Sequence, residues 1–253
     1  MGVTIERSGP VGTVILDRPA FRNAVDGPTA EALHGAFVEL DADDTISVCV
    51  LWGSGGTFCS GADLHAIGSE RTNRFEAAGA GPMGPTRLVM SKPVIAAIEG
   101  YAVAGGLELA LWCDLRVGSE TSLFGVFCRR WGVPLVDGGT VRLPQIVGVG
   151  HALDMILTGR EVLAREAKNM GLINRIVPGG YAREESEALA RDIAGFPQIC
   201  LRNDRYALLE GVGAPTHDAM GREFELGMET VASGETGAGA DRFKAGEGRH
   251  GAF

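Results

Sequence analysis

The sequence predicts an α/β layered fold with a helical C-terminal region. Short apolar, β-branched runs at 46–52, 94–98 and 115–117 alternate with amphipathic stretches and glycine-rich turns. From Tyr181 onward the strand signals vanish and charged amphipathic helices take over.

The chain opens with a predicted hairpin, because Val3-Thr4-Ile5 and the run 11–16 flank the turn-prone Ser8-Gly9-Pro10. Asp26-Gly27-Pro28 reads as a helix start with proline in the first turn. Leu33, Ala36, Phe37 and Leu40 then follow at helical spacing and define one buried face. The runs 46–52 and 94–98 lack polar alternation and read as strands covered on both faces. Helices fill the intervals and the stretch 140–170, whereas 76–85 is too rich in glycine and proline for regular structure and reads as a surface loop. The expected division is a core at 1–196 and a helical region at 197–253, interrupted at Gly211-Val212-Gly213-Ala214-Pro215. The glycine-rich tail 246–253 is expected to order only against a partner.

Composition narrows the function. The 253 residues carry 23 Lys and Arg against 32 Asp and Glu, a net charge of −9. An acidic chain without a basic run is a poor ligand for nucleic acid or an anionic membrane surface. Residues 1–7 lack the basic start and apolar stretch of a signal peptide, and no apolar run approaches a membrane span. The five cysteines, Cys49, Cys59, Cys113, Cys128 and Cys200, are scattered and never spaced C-x-x-C, which points to a reducing, cytoplasmic setting without a zinc site. The expectation at this point is a soluble, cytosolic, acidic protein with no metal site.

Several motifs fail on inspection. Gly53-Ser54-Gly55-Gly56-Thr57-Phe58 has phenylalanine where a dinucleotide fold needs its last glycine, and there is no P-loop, G-x-S-x-G or H-E-x-x-H. Two segments remain. The turn 57–64 follows the 46–52 strand, and Gly100 to Ala110 is a glycine turn leading into a helix. Backbone with little side-chain cover can point N–H groups into a cavity, and a helix start near Gly105 adds unpaired donors and the positive dipole end. Two donors from separate loops satisfy the requirement for an oxyanion hole. Glu108, three residues on, lies among Leu107, Leu109, Ala110, Leu111 and Trp112. Burial there would raise its pKa into proton-transfer range, while the same position suits a first-turn glutamate that caps the helix. The residues leave both readings open.

At this point the sequence resembles the crotonase superfamily, the enoyl-CoA hydratase/isomerase family, over nearly its whole length. Phe58-Cys59-Ser60-Gly61-Ala62-Asp63-Leu64 resembles the first oxyanion segment, and Gly100 to Leu109, followed by Cys113-Asp114, resembles the second. Asp17-Arg18-Pro19 with Asn23-Ala24 resembles the coenzyme A contact, and Gly138-Gly139 with Arg142-Leu143-Pro144 continues the pattern. The resemblance implies a crotonase-like ββα spiral (superhelix), a C-terminal trimerisation region, and a homotrimer or dimer of trimers. It implies an acyl-CoA substrate with no separate cofactor. It implies that Ala62 and Gly105 donate to the thioester carbonyl, that Glu108 is catalytic, and that Arg22, Ala24, Ser60, Asp63, Leu64 and Phe243 contact coenzyme A or substrate.

One departure bears on the chemistry. Hydratases of the family hold a water with two glutamates, and the second falls at Cys128 here. A thiol is a poor stand-in for a carboxylate acid unless Arg129 and Arg130 lower its pKa. Asp137 is the other acid in reach, and it also suits a cap on the helix after Gly138. Arg18 and Arg22 are candidates for the coenzyme A phosphates. Three readings compete: a hydratase-type lyase on 2-enoyl-CoA, a double-bond isomerase, and an acyl-CoA-binding protein with little activity. Hydration is adopted as the commoner chemistry of the family.

Overall fold

The computed structural model describes residues 2–248, so the tail beyond Gly248 lies outside the described residues. The chain divides into two units, 1–193 and 194–253. In the first, β1 (Val3–Ser8) and β2 (Val11–Leu16) form the hairpin at Ser8-Gly9-Pro10, with Gly9 at φ 57°. α1 (Gly27–Ala42) starts at Asp26, whose carboxylate accepts the Thr29 N–H at 3.0 Å. Leu33, Ala36, Phe37 and Leu40 are its buried face. The buried Lys92 closes its other end, donating to the carbonyls of Leu40 at 2.7 Å and Asp43 at 2.6 Å. A cation at a helix C-terminus satisfies orphan carbonyls and opposes the dipole.

β3 (Val48–Gly53) and β4 (Val94–Ile98) follow, then β5 (Tyr101–Val103), α2 (Gly105–Trp112), β6 (Leu115–Ser119) and β7 (Leu123–Gly125). α3 (Gly139–Thr158), β8 (Val162–Leu163), α4 (Ala164–Asn169), β9 (Arg175–Val177) and α5 (Ala182–Ala194) complete the order. The larger sheet runs β1-β2-β3-β4-β6-β9, parallel throughout except for the hairpin, and β5-β7-β8 form a second sheet. The three apolar runs of the sequence become β3, β4 and β6. Leu16 pairs with Gly53, Trp52 with Ala97 and Ile98 with Gly118, so the C-terminal ends of four strands are level. The loops leaving that edge are where an open α/β sheet builds its ligand site.

The surface-loop expectation for 76–85 needs correction. Residues 74–80 are exposed, but 81–86 are buried. Gly81 and Gly84 exchange backbone hydrogen bonds of 3.1 and 2.8 Å, so this part is a fixed turn in the interior.

The second unit holds α6 (Gln198–Gly211), α7 (Thr216–Ala232) and α8 (Glu235–Ala245). The Glu235 carboxylate accepts the N–H groups of Ile199 at 3.1 Å and Cys200 at 2.8 Å, closing the start of α6. Leu226 and Thr230 are buried, while Leu208, Met220, Phe224, Met228 and Phe243 are exposed.

Two glycines on helices of the first unit should respond oppositely to alanine. A Cβ at Gly106 would lie 2.1 Å from the Cys59 carbonyl oxygen, where the turn after β3 meets α2, and one at Gly35 meets nothing within 4 Å. Gly106→Ala should lower stability by about 2 kcal/mol or more, and Gly35→Ala should raise it by about 0.5–1 kcal/mol. Urea midpoints that move together would refute the close approach of Cys59 to α2.

Candidate active site

Two stretches of backbone meet at the level edge of the sheet. Cys59 bridges Ala102 in parallel register, donating its N–H to the Tyr101 carbonyl at 2.9 Å and accepting the Val103 N–H at 3.1 Å. A second parallel bridge joins Val25 to Ala62: the Val25 N–H donates to the Gly61 carbonyl and the Asp63 N–H to the Val25 carbonyl, both at 2.9 Å. In such a bridge the flanking groups are used, and the N–H of Ala62 itself faces away from Val25. Gly61 has φ 99°, and a Cβ there would lie 2.9 Å from the Ala104 Cβ and 3.0 Å from the Gly105 nitrogen. Only glycine fits that approach.

Ala104 turns the chain from β5 into α2 at φ 53° and ψ −127°. A non-glycine residue there stores strain of roughly 1–3 kcal/mol. Its carbonyl accepts from Leu107 at 3.0 Å and Glu108 at 3.2 Å, so Gly105 stands at the open end of the helix. Among the described residues, no backbone acceptor receives the N–H of Ala62 or Gly105. Both residues line one cavity of about 380 Å³.

Glu108 lines the same cavity and is only 3% exposed. Its Oε1 accepts the backbone N–H of Asp137 at 2.9 Å and of Gly139 at 2.8 Å. A Cβ at Gly139 would lie 2.9 Å from that same oxygen, so a side chain there would displace the Glu108 carboxylate. Burial pushes the carboxyl up to about 7 against these two hydrogen bonds, and the charge of Asp137 pushes in the same direction as burial. The first-turn cap is thereby set aside: the carboxylate serves the start of α3, not its own helix.

Cys128 lies in a short 3-10 turn, Phe127–Trp131, and also lines the cavity. Burial raises its thiol above the usual value, with the charge of Glu108 adding to it and Arg129 opposing. Arg130 stacks 3.8 Å over the Phe127 ring and donates to the Gly159 carbonyl at 2.8 Å. Burial and Glu108 thus outweigh Arg129, and the thiol is not activated. Asp137 reaches the cavity wall too, but not as a helix cap. Gly138 occupies the cap position of α3, and Asp137 Oδ1 accepts the Met83 N–H at 3.0 Å and the Thr86 hydroxyl at 2.5 Å.

Arg22, Ser60 and Leu64 also line the cavity. The Arg22 guanidinium stands 6.0 Å from the Tyr101 ring centre. Ala24 and Asp63 are buried away from the cavity wall. The Asp63 carboxylate pairs with Arg18 at 3.1 Å and accepts the His65 N–H at 3.1 Å, so it fastens the turn that carries Ala62. Arg18 also pairs with Asp26 and donates to the Ala24 carbonyl, which withdraws it from the phosphate role considered above. Phe243 is exposed on α8 of the second unit. Met83, Tyr101, Phe127 and Trp131 also line the wall without having been singled out from the sequence as site residues. The readable signal was the aromatic pair at 127 and 131 in a short segment closed by Gly132. Among the described residues no cluster of acidic, cysteine or histidine side chains could hold a metal ion.

The buried carboxyl has a consequence for stability. Its ordinary value is 4.5 and its folded value about 7, so between these the unfolded chain releases a proton that the folded chain keeps. The stability from this proton is present below 4.5 and is lost as pH rises through about 7. The full span is worth about 3 kcal/mol. Glu108→Gln abolishes that contribution, so urea unfolding at pH 5 and pH 8 should show the variant losing about 2–3 kcal/mol less than wild type. Equal losses would remove Glu108 from the account.

Residues 6–245 match the Enoyl-CoA hydratase/isomerase family. The chain is 32% identical over 246 residues to the enoyl-CoA hydratase EchA19 of Mycobacterium tuberculosis, covering 94% of this chain and 92% of that protein. It is 30% identical over 228 residues to the short-chain-enoyl-CoA hydratase of Clostridium acetobutylicum, covering 88% and 87%. The crystal structure of an enoyl-CoA hydratase from Mycobacterium tuberculosis superposes with a TM-score of 0.91 at 32% identity, covering 96% of each chain. The ββα arrangement, the two glycine-lined turns and these likenesses agree: the chain has the crotonase fold and belongs to the enoyl-CoA hydratase/isomerase family.

Proposed function

We propose that this protein is a hydratase-type lyase that adds water across the 2,3-double bond of a 2-enoyl-CoA thioester. The observation that carries the reading is the buried Glu108 carboxylate in a cavity with two unspent backbone amides. Glu108 has one oxygen held by two amides, while no hydrogen bond engages Oε2 among the described residues. The thioester carbonyl would accept from the N–H groups of Ala62 and Gly105. Such donors strengthen as charge moves onto the oxygen, which is what lowers the barrier. Glu108 takes a proton from water as the water oxygen bonds to C3, the electron pair moves to the thioester oxygen, and Glu108 returns the proton to C2. A carboxyl near 7 suits both halves of that cycle, and activity should rise as pH passes through about 7. Arg22, Ser60 and Leu64 would meet the coenzyme A portion near the cavity mouth, and Phe243 of a neighbouring subunit would supply a further contact to it. Coenzyme A belongs to the substrate, and no other cofactor enters this scheme.

A second reading rests on Cys128. Burial raises its thiol, which stands where a second carboxylate would grip a water, and Asp137, the other acid of the wall, has its Oδ1 committed to Met83 and Thr86. One carboxylate suffices to move a proton from C2 to C4 of a 3-enoyl-CoA, which is isomerisation. A panel of 2-enoyl and 3-enoyl thioesters followed by mass spectrometry separates the two, because only hydration gains the mass of water.

In either case Glu108→Gln should lower kcat by about 100-fold or more, and Cys128→Ser should change it by less than about 10-fold. Cys128→Glu should raise hydration of a short 2-enoyl-CoA by restoring a pair of carboxylates around the water. A silent Glu108→Gln beside an inactive Cys128→Ser would reverse the assignment. For assembly we infer a trimer or dimer of trimers, in which neighbouring copies cover Met220, Phe224 and Met228 of the helical unit, exposed in the single chain. Light scattering that returns a monomer contradicts it. Reduced cysteines fit a cytoplasmic site, and among the described residues no helix is long and apolar enough to cross a membrane.

A further inference from the structure

Pro82 and Met83 form one wall of the cavity, and Met83 packs on the start of α2, where a Cβ at Gly105 would lie 2.7 Å from its sulfur. This wall is built from an irregular segment. Side chains hold it in place. Asp137 Oδ1 accepts the Met83 N–H at 3.0 Å and the Thr86 hydroxyl at 2.5 Å. The Asn73 amide donates to the Pro82 carbonyl at 2.8 Å. Arg142 donates to the carbonyls of Thr86 at 2.7 Å and Asp137 at 2.9 Å. The other end of Asp137 touches the opposite partner, since its backbone N–H donates to Glu108 Oε1 at 2.9 Å.

We propose that Asp137 is a positioning residue that couples Glu108 to the wall segment 81–86, so that one residue fixes both the proton-transfer group and the reach of the acyl pocket. The proposal rests on the reading of Glu108 and the cavity given above. The acyl end of the thioester would meet Met83, and the anchor of Met83 is the Asp137 carboxylate. The same carboxylate supplies charge beside Glu108. The groups facing Glu108 are Asp137 and Arg142, with Cys128 on the neighbouring turn, and those facing Asp137 are Arg87 and Arg142. Burial is the main cause of the raised Glu108 value, and the Asp137 charge adds to it. Removing that charge must ease ionisation of Glu108.

Three variants separate the two duties. Asparagine at 137 keeps an acceptor oxygen for Met83 and Thr86 and removes the charge. Asp137→Ala removes both, and Thr86→Val cuts one anchor while leaving the charge. They are compared by kcat, KM and pH profile on 2-enoyl-CoA thioesters of increasing chain length. Asp137→Asn should hold KM and chain preference within about twofold and move the limb assigned to Glu108 toward lower pH. Asp137→Ala should move the limb likewise and raise KM by about tenfold with a broadened chain preference. Thr86→Val should raise KM and leave the limb in place. Rescue of the alanine KM by asparagine distinguishes an anchor from a general loss of folding, with melting temperatures as the check.

The proposal is overturned if the limb stays fixed in Asp137→Asn, or if alanine leaves KM and chain preference unchanged. It is also overturned if Asp137→Asn loses about 100-fold in kcat at every pH, because Asp137 would then transfer the proton itself. If wild type turns over no thioester, the enzyme reading fails, and the anchor is judged by affinity for saturated acyl-CoA thioesters. Weakening by alanine and valine with rescue by asparagine sustains it, and equal affinities overturn it.

Discussion

The site depends on two backbones approaching each other with no side chains between them. The turn at Cys59 to Ala62 packs on the chain from Ala102 to Gly106, and the glycines at 61 and 106 are what permit contact. In the Val25–Ala62 bridge Val25 uses its own groups and Ala62 is bonded only through its neighbours, which leaves the Ala62 amide over, while the Gly105 amide is left over at the start of α2. The sheet continues past Cys59 to Ala102, but it stops at Ala62 and at Gly105, where no further strand arrives. Two amides are thus unspent at one cavity because pairing ends there, not because a side chain was recruited. The strained turn at Ala104 has the same origin, since it is the bend by which a strand becomes a helix within one residue.

Charge follows a matching division. Asp26 and Glu108 are both almost fully buried, yet they are driven in opposite directions. Burial opposes the charge of Asp26, but hydrogen bonds from Thr29 and Arg71 and the Arg18 guanidinium outweigh it and hold the carboxyl below its usual range. Glu108 receives backbone amides on one oxygen only, faces the charge of Asp137, and rises to about 7. The paired carboxylates lie outside the cavity wall and fasten its loops, as Asp63 does through Arg18. Glu108 and Asp137 line it, each with its hydrogen bonds gathered on one oxygen. A fully satisfied ion pair is a fastener, and a half-satisfied acid is available for chemistry.

The sequence was legible where pattern and neighbourhood coincide. The hairpin at Gly9, the apolar runs of β3, β4 and β6, and the helix after Asp26 each follow from local chemistry that tertiary contacts reinforce. The turn at Cys59 to Ala62 and the glycines before α2 were readable as places where backbone could face a cavity. What could not be read were contacts set by partners distant in sequence. Arg18 looks like a surface cation until Asp26 and Asp63 converge on it. Asp137 looks like a helix cap, and only the folded chain brings Met83 and Thr86 to its carboxylate, more than fifty residues away. The stretch 76–85 reads as a loop because glycine and proline forbid regular structure, but composition says nothing about burial, and 81–86 is interior.

Cys128 shows how one replacement redistributes work within a fixed frame. A buried thiol above its usual pKa is neutral near pH 7, so it neither attracts a hydronium nor orients a water as a carboxylate does. On the reading proposed here, the water must then be held by Glu108 alone, through the oxygen that the amides of Asp137 and Gly139 leave uncommitted. Fixing one oxygen of a carboxylate by two donors leaves the other little freedom of direction, and this substitutes in part for a second gripping group. The other buried acid of the cavity wall, Asp137, has its Oδ1 committed to Met83 and Thr86. Its influence on the reaction therefore runs through charge and position. Loss of the second carboxylate thus places a greater share of the rate on how rigidly the 137–139 backbone holds Glu108, and the glycine at 139 is what lets that backbone come within hydrogen-bond reach.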